Sequence, residues 1–143
     1  MVRTRGVVFD ESGRLLVQHH SSSKPDFYRL PGGGVRFREK LEDCLIREIG
    51  EETGLNVKVD CLLWVRDFID QVSYHSIELF FLASVIGGKF NPSPEGKDME
   101  LLFMTLEELD NVVFYPKELL PKLKILKGNR NLTEENPYVR SAN

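Results

Sequence analysis

The chain has 143 residues, of which 41% are hydrophobic and 29% charged, proportions typical of a globular domain. We expect a single domain over residues 1–143, with residues 128–143 as a loosely ordered tail. The formal net charge of −3 argues against a nucleic-acid polymer as partner. No N-terminal apolar run precedes a cleavage site and no stretch approaches eighteen apolar residues, so neither a signal peptide nor a membrane span is expected. Cys44 and Cys61 are expected to be reduced core thiols in the cytoplasm.

The first half of the chain predicts strands followed by a helix. Residues 2–9 and 14–20 flank the turn sequence Asp-Glu-Ser-Gly and are predicted to form a β-hairpin. Residues 27–30 predict a short strand that leads into three consecutive glycines. Residues 41–53 contain no proline and are rich in Leu, Glu, Arg, Lys and Ile, which predicts a helix. Gly54 is expected to end this helix in the left-handed conformation.

The second half predicts two long strands, a loop, a last strand and two helices. Thr105 and Glu108 have the spacing of a capping box, which marks the start of the first of these helices. The predicted bounds are residues 57–69 and 74–86 for the long strands, 89–97 for the loop, 100–104 for the last strand, and 105–109 and 116–126 for the helices. Strands on both sides of a central helix, with a helix at the end, predict an α/β fold with α/β/α layers around a mixed sheet.

One face of the predicted helix 41–53 changes from apolar to acidic. Its stripe begins with Leu41, Cys44 and Leu45 and continues with three glutamates: Glu48, Glu51 and Glu52. Glutamates three and four residues apart repel each other by about 0.2–0.5 kcal/mol per pair, and the helix dipole disfavours negative charge at this end. Such local conflict indicates a functional site, where a hard divalent cation would cancel the repulsion. The alternative is a solvated acidic helix end.

The glutamate stripe belongs to a longer pattern that begins at Gly33. The pattern reads Gly, five residues, Glu, seven residues, Arg-Glu-Ile, one residue, Glu-Glu, one residue, Gly-Leu. Seven positions have a fixed identity, each expected at roughly 7% by composition, so a chance match is on the order of one in a million or rarer. The pattern resembles the signature of the Nudix hydrolases at every position. This resemblance implies a Nudix-like α/β/α sandwich with a mixed β-sheet.

The resemblance also implies roles for individual residues. Glu48 and Glu52 look like the principal ligands of Mg²⁺, for which Mn²⁺ can substitute, and Glu51 is a further ligand or positions the attacking water. Arg47 is expected to orient a motif carboxylate, and glycine at position 33 lets the backbone approach the metal. The implied site residues are Glu51, Glu52, Arg47 and Glu100 for catalysis, Arg29, Gly33, Gly34 and Glu39 for substrate binding, and Glu48, Glu51, Glu52 and Gly33 for the metal.

Two regions outside the core pattern carry further expectations. Family members often flank the first glutamate of the signature with Gly and with Ser or Thr, whereas this chain has Arg38 and Lys40, so the helix is expected to lack a side-chain cap. The loop before the last strand offers acids that face the metal helix in similar hydrolases. We rank Glu100 first because a strand fixes it, then Asp98, then Glu95. The alternative is a solvated acidic loop without a role.

The implied activity is Mg²⁺-dependent cleavage of a pyrophosphate bond in a nucleoside diphosphate linked to another moiety. That substrate is a small-molecule nucleotide: a nucleotide sugar, a dinucleoside polyphosphate or a nucleoside triphosphate. No proline lies between Gly54 and Asn91, which argues against an ADP-ribose marker of the family, and Tyr74 lies where a diadenosine-polyphosphate marker is sought. The alternatives are a non-catalytic Nudix-fold nucleotide sensor and an RNA-end processing enzyme. The oligomeric state stays open, with a homodimer as one option.

Overall fold

Two β-sheets lie between helices in the computed structural model of the protein, which describes residues 1–92, 98–128 and 136–140. The elements are β1 (Val2–Val7), β2 (Leu15–His20), β3 (Phe27–Arg29), β4 (Gly32–Gly34), α1 (Leu41–Thr53), β5 (Leu55–Ile69), β6 (His75–Gly88), β7 (Met99–Met104), α2 (Leu106–Leu109), α3 (Leu119–Gly128) and β8 (Tyr138–Val139). Within these described ranges, no helix is both long enough and apolar enough to cross a membrane.

The larger sheet is mixed and the smaller one antiparallel. The larger sheet has the order β4-β1-β6-β5-β8, in which β1 is parallel to β6 and antiparallel to β4. The smaller sheet has the order β3-β2-β7. Helix α1 packs with one buried cluster, and α2 and α3 pack with another. The predicted α/β fold with a mixed sheet is confirmed.

The two apolar clusters fix the helices against the sheets. On the α1 side, the buried residues are Val8, Leu16, Leu45, Ile49, Leu55, Val57, Phe81, Ala83 and Leu101. On the other side, α2 and α3 contribute Leu106, Leu109, Leu119, Leu123 and Leu126, which pack with residues that include Trp64 and Phe80. Cys44 is buried as expected. The expectation of a core position for Cys61 is wrong, because this residue is exposed on β5.

Successive side chains of strand β1 point alternately towards α1 and towards the opposite face of the sheet. The Thr4 hydroxyl donates to the Cys44 sulfur of α1 at 3.3 Å. A Cβ at Gly6 would lie 2.9 Å from the Ile49 side chain, so the backbone of β1 approaches α1 closely at this position. Arg3 and Arg5 alternate with these residues and line a cavity on the other side of the strand.

The predicted hairpin of residues 2–9 and 14–20 is only local. Its turn forms as expected, and the amide of Leu16 donates to the carbonyl oxygen of Val8 at 2.9 Å. Phe9 and Leu15 form an isolated antiparallel bridge. Beyond this point the strands diverge, because β1 pairs with β4 and β6, whereas β2 pairs with β3 and β7.

The ends of α1 agree with the sequence, but the C-terminal part differs. Helix α1 has the predicted bounds, Lys40 provides no side-chain cap, and Gly54 adopts φ 77°. The capping box at Thr105 is also present. The predicted loose tail is wrong for residues 136–140, because β8 pairs in parallel with β5 and Val139 is buried. Residues 129–135 and 141–143 lie outside the described ranges.

Candidate functional site

The acidic stripe of α1 runs from the protein interior to its surface. Buried Leu45 and Ile49 hold the helix against the sheets. Glu52 follows on this face and is only 5% exposed, whereas the side chains of Glu48 and Glu51 are 19% and 42% exposed. The three carboxylates therefore experience very different degrees of contact with water.

Glu52 is an unusual buried carboxylate because only one of its oxygens is hydrogen-bonded. Its Oε1 accepts a hydrogen bond of 3.1 Å from the Gln18 side-chain amide. No group among the described residues donates to the buried Oε2. Burial raises the pKa of Glu52 to about 7; the hydrogen bond from Gln18 opposes this shift, and the charge of Glu48 adds to it. A buried acceptor without a partner is costly, which makes Oε2 a candidate ligand atom.

Arg47 connects the helix to the loop that precedes it. Its guanidinium donates to both oxygens of Glu39, from Nε at 2.7 Å and from Nη2 at 2.9 Å. Nη1 donates to Glu48 Oε1 at 2.8 Å and to Glu51 Oε2 at 3.4 Å, and Nη2 also donates to the carbonyl oxygen of Gly34 at 3.3 Å. The hydrogen bonds from Arg47 lower the pKa of Glu39 to about 2. Arg47 therefore fixes the orientation of several motif carboxylates at once.

Gly33 lies directly against the Glu48 carboxylate. A Cβ at this position would lie 2.5 Å from Glu48 Cδ and 2.6 Å from its Oε1. Only glycine allows the backbone of β4 to approach the carboxylate this closely. The neighbouring carbonyl of Gly34 accepts from Arg47, so the loop and the helix form one unit.

A cavity of about 420 Å³ opens on the side of β1 away from α1. In the described part of the chain, its charged lining consists of four arginines and one glutamate: Arg3, Arg5, Arg29, Arg66 and Glu78. Aromatic side chains supply much of the rest, including Phe27, Phe68, Tyr74 and Tyr115. An excess of arginine together with aromatic rings is suited to an anionic ligand that carries a planar group.

Glu78 neutralises part of the positive charge in this cavity. Its Oε2 lies 3.1 Å from Arg5 Nε, and its Oε1 accepts from Arg66 Nη1 at 2.7 Å. Burial opposes ionisation of Glu78, but these two arginines lower its pKa overall. Arg3 donates from Nε to the Tyr74 hydroxyl at 2.6 Å. Among the described lining residues, Glu78 is one carboxylate against four guanidinium groups, so the described part of the lining has an excess of positive charge.

Gln18 joins the cavity to the acidic stripe. Arg29 Nε donates to Gln18 Oε1 at 3.0 Å, and Gln18 Nε2 in turn donates to Glu52. Burial, followed by the charges of Arg5 and Arg3, lowers the pKa of Arg29 to about 10. The arginine-lined cavity and the acidic stripe are therefore neighbouring parts of one site.

The structure separates the predicted site residues into two groups. It brings together Arg47, Glu48, Glu51, Gly33, Gly34 and Glu39 at α1, and it connects Glu52 through Gln18 to Arg29.

The expectation that Glu100 faces the metal helix is wrong. Glu100 pairs with His19 and alternates with Leu101, which packs on the α1 side, so the Glu100 side chain lies on the opposite face of β7. Asp98 is exposed, and Glu95 lies outside the described residues.

Several residues of the site were not identified from the sequence. They are Gln18, Arg3, Arg5, Arg66 and Glu78. The positions of Arg3 and Arg5 carried a usable signal, since two charged residues at i and i+2 lie on one face of a strand. No comparable signal marked Gln18, which lies between Val17 and two histidines in β2.

The donor atoms at α1 fit a hard divalent cation. Carboxylate and carbonyl oxygens are the ligands that Mg²⁺ prefers, and Glu52 Oε2 is a buried oxygen with no donor among the described residues. In the described ranges, no three His, Cys, Asp or Glu side chains are arranged around a common point as metal ligands. Glu48 and Glu51 each direct one oxygen towards Arg47, which leaves the other oxygen of each carboxylate outside these two hydrogen bonds.

Comparisons with known proteins agree with this geometry. The family model of the NUDIX domain matches residues 1–123. An ADP-ribose pyrophosphatase of Methanocaldococcus jannaschii is 32% identical over 120 residues, which cover 83% of this chain and 70% of that protein. An NAD-capped RNA hydrolase NudC of Photobacterium profundum is 33% identical over 91 residues, which cover 62% of this chain but only 32% of that protein.

The fold also matches solved structures. A crystal structure of a UDP-X diphosphatase superimposes with a TM-score of 0.71 at 22% identity, over 98% of this chain and 66% of that one. At this identity the similarity shows the fold alone. The family match over most of the chain, the complete Gly33–Leu55 signature and the layered fold lead to the same conclusion: the chain belongs to the Nudix family of hydrolases, which act on pyrophosphate bonds.

Proposed function

We propose that this protein is a Mg²⁺-dependent pyrophosphohydrolase of nucleoside diphosphates linked to another moiety, with ADP-ribose and related nucleotide sugars as first candidates. The observation that carries the proposal is the direct connection between the acidic stripe and the arginine-lined cavity through Gln18. The similarity to an ADP-ribose pyrophosphatase supports the choice of substrate class. Products would be a nucleoside monophosphate and a phosphorylated leaving group.

The residues of α1 would hold the cation. Glu48 and Glu52 supply carboxylate oxygens, Gly33 brings its backbone close to Glu48, and Glu51 is a further ligand or positions the water. A bound divalent cation neutralises phosphate charge and favours ionisation of water, and Mn²⁺ can replace Mg²⁺ in this role. Arg47 keeps Glu48 and Glu51 in place through its hydrogen bonds.

The cavity would hold the nucleotide. Its volume lies at the lower end of the range of about 300–1,000 Å³ that is common for ligand pockets. Arg29 is the cavity arginine connected to Glu52, so it is suited to contact the diphosphate nearest the cation. Phe27, Tyr74 and Tyr115 line the same cavity and offer ring faces for the base.

Turnover of a nucleotide panel tests the proposal. Purified protein with millimolar Mg²⁺ is incubated with ADP-ribose, NADH, diadenosine tetraphosphate, a nucleoside triphosphate and an NAD-capped RNA, and products are separated by chromatography. We expect nucleoside monophosphate from at least one small-molecule substrate, with loss of turnover in EDTA and in Glu52→Gln.

The other outcomes identify the alternatives. Binding across the panel without turnover favours the nucleotide sensor. Preference for capped RNA over every small molecule contradicts the expected partner class and agrees with the function named for NudC.

The cytoplasmic location and the oligomeric state stay predictions. Size-exclusion chromatography with light scattering measures the oligomeric state.

A further inference from the structure

We propose that Gln18 is a positioning residue that couples the arginine-lined cavity to the metal-binding carboxylate of Glu52, an inference that rests on the proposed function. Gln18 lies in β2 and is only 1% exposed. Each end of its amide group contacts a different part of the site. One end faces Arg29 in the cavity, and the other faces Glu52 on α1.

The partners of Gln18 fix the orientation of its amide. Oε1 accepts from Arg29 Nε at 3.0 Å and lies 3.2 Å from His20 Nε2. A guanidinium can only donate, so the carbonyl oxygen must face Arg29 and the NH₂ group must face Glu52. A flipped amide would place N–H against N–H at Arg29 and oxygen against oxygen at an ionised Glu52. The network therefore determines which group Gln18 presents to Glu52.

This orientation assigns different roles to the two oxygens of Glu52. Gln18 Nε2 holds Oε1 at 3.1 Å, and Oε2 is the buried oxygen that no described group contacts by a hydrogen bond. Gln18 thereby fixes the carboxylate plane and leaves Oε2 available for a cation. Hydrogen bonds of this kind to metal-binding side chains typically change metal affinity or activity by 10–100-fold when removed.

The strand register makes the coupling rigid. Gln18 and Arg29 are directly opposite each other in the antiparallel ladder of β2 and β3. On β2, Leu16 precedes Gln18 by two residues and is buried against the α1 cluster, which fixes the face that Gln18 presents. A ligand phosphate that changes the hydrogen bonds of Arg29 therefore acts on Gln18 and through it on Glu52. By linkage, a cation at Glu52 changes phosphate affinity by the same factor.

A double-mutant cycle in the intact chain tests this coupling without relying on turnover. Mn²⁺ affinity is measured by electron paramagnetic resonance, in the absence of nucleotide, for wild type, Gln18→Met, Arg29→Met and the double variant. We expect Gln18→Met to weaken Mn²⁺ binding about tenfold. We also expect the effect of Arg29→Met to differ by at least about threefold between the two backgrounds, because groups in one hydrogen-bond network are not additive.

A control separates positioning from general destabilisation. Val17→Ala changes the fully buried neighbour on the opposite face of β2, so it should lower the melting temperature and leave Mn²⁺ affinity unchanged. Gln18→Asn is a second variant in case Gln18→Met does not fold. Its amide is one methylene shorter and cannot bridge both partners, so Mn²⁺ binding should weaken again.

The outcomes distinguish failure of the Gln18 coupling from failure of the proposed function. An identical effect of Arg29→Met in both backgrounds overturns the coupling, because a direct charge effect would not depend on Gln18. Mn²⁺ affinity that is unchanged in Gln18→Asn and Gln18→Met, or reduced equally by Val17→Ala, overturns it as well. In all these cases wild type still binds Mn²⁺ and the proposed function stands, whereas a wild type that binds no Mn²⁺ overturns both.

Discussion

Replacing Glu52 by glutamine should stabilise the metal-free protein at neutral and alkaline pH and strongly reduce turnover. The substitution removes a charge from a position that is 5% exposed and leaves the shape of the side chain almost unchanged. Glutamine can still accept from Gln18 through its oxygen. A neutral amide is, however, a poor ligand for a hard cation, so turnover should fall by orders of magnitude.

The magnitude follows from the pKa of Glu52. Burial raises this pKa from 4.5 to about 7 in the folded state. Between these values the folded protein binds the proton and the unfolded chain does not, so wild-type stability falls as pH rises through this window. At 1.36 kcal/mol per pKa unit, the loss reaches about 3 kcal/mol above pH 7. Below about pH 4.5 both side chains are neutral, and the two proteins should differ little in stability.

Urea unfolding in EDTA at pH 4.5 and pH 8 measures this difference. The variant should gain free energy of unfolding relative to wild type only at pH 8. Glu51→Gln is the matched control, because its side chain is 42% exposed and surface substitutions usually stay within about 0.5 kcal/mol. A Glu52→Gln protein that is less stable than wild type at pH 8, or equally stabilised at both pH values, would refute the assignment of Glu52 as a buried carboxylate whose burial favours its neutral form.

Three further substitutions test other parts of the site. Arg47→Ala should lower both the melting temperature and kcat, because three carboxylates lose their common partner; an unchanged melting temperature with only a raised KM would point to direct substrate contact. Gly33→Ala should reduce kcat at least about tenfold with little loss of stability, since its Cβ would displace the Glu48 carboxylate; wild-type kcat would show that this close approach is not needed. Glu78→Gln should reduce the free energy of unfolding at pH 7 by about 3–5 kcal/mol, because it breaks the buried ion pairs that Glu78 forms with Arg5 and Arg66. The stabilisation by Glu78 should disappear as pH falls through its lowered pKa, and a loss below 1 kcal/mol in urea titrations would contradict this role.

The sequence predicted features that depend on local interactions. The bounds of α1, the left-handed Gly54 and the capping box at Thr105 all follow from residues within a few positions of each other. The different degrees of burial of the three glutamates could not be predicted from the sequence in the same way. Helical periodicity places them on one face, but the burial of Glu52 depends on β2, which is more than thirty residues away in sequence.

Features that depend on strand partners were predicted less well. Residues 2–9 and 14–20 have the pattern of a hairpin, yet nothing local indicates that their strands join different sheets. Glu100 was assigned to the wrong face for a related reason. Strand β7 is apolar on both faces after Glu100, so the sequence Met-Glu-Leu-Leu-Phe-Met contains no alternation that would reveal which face meets α1.

Strand β1 contributes to both halves of the site through the alternation of a single run of residues. Thr4 contacts α1, and Arg3 and Arg5 on either side of it line the cavity. Substrate preference can therefore change by exchange of the arginines without alteration of the surface on which α1 rests. A one-residue insertion in this strand has the opposite consequence: it turns the arginines towards the helix and the small residues towards the cavity, and both halves of the site fail together.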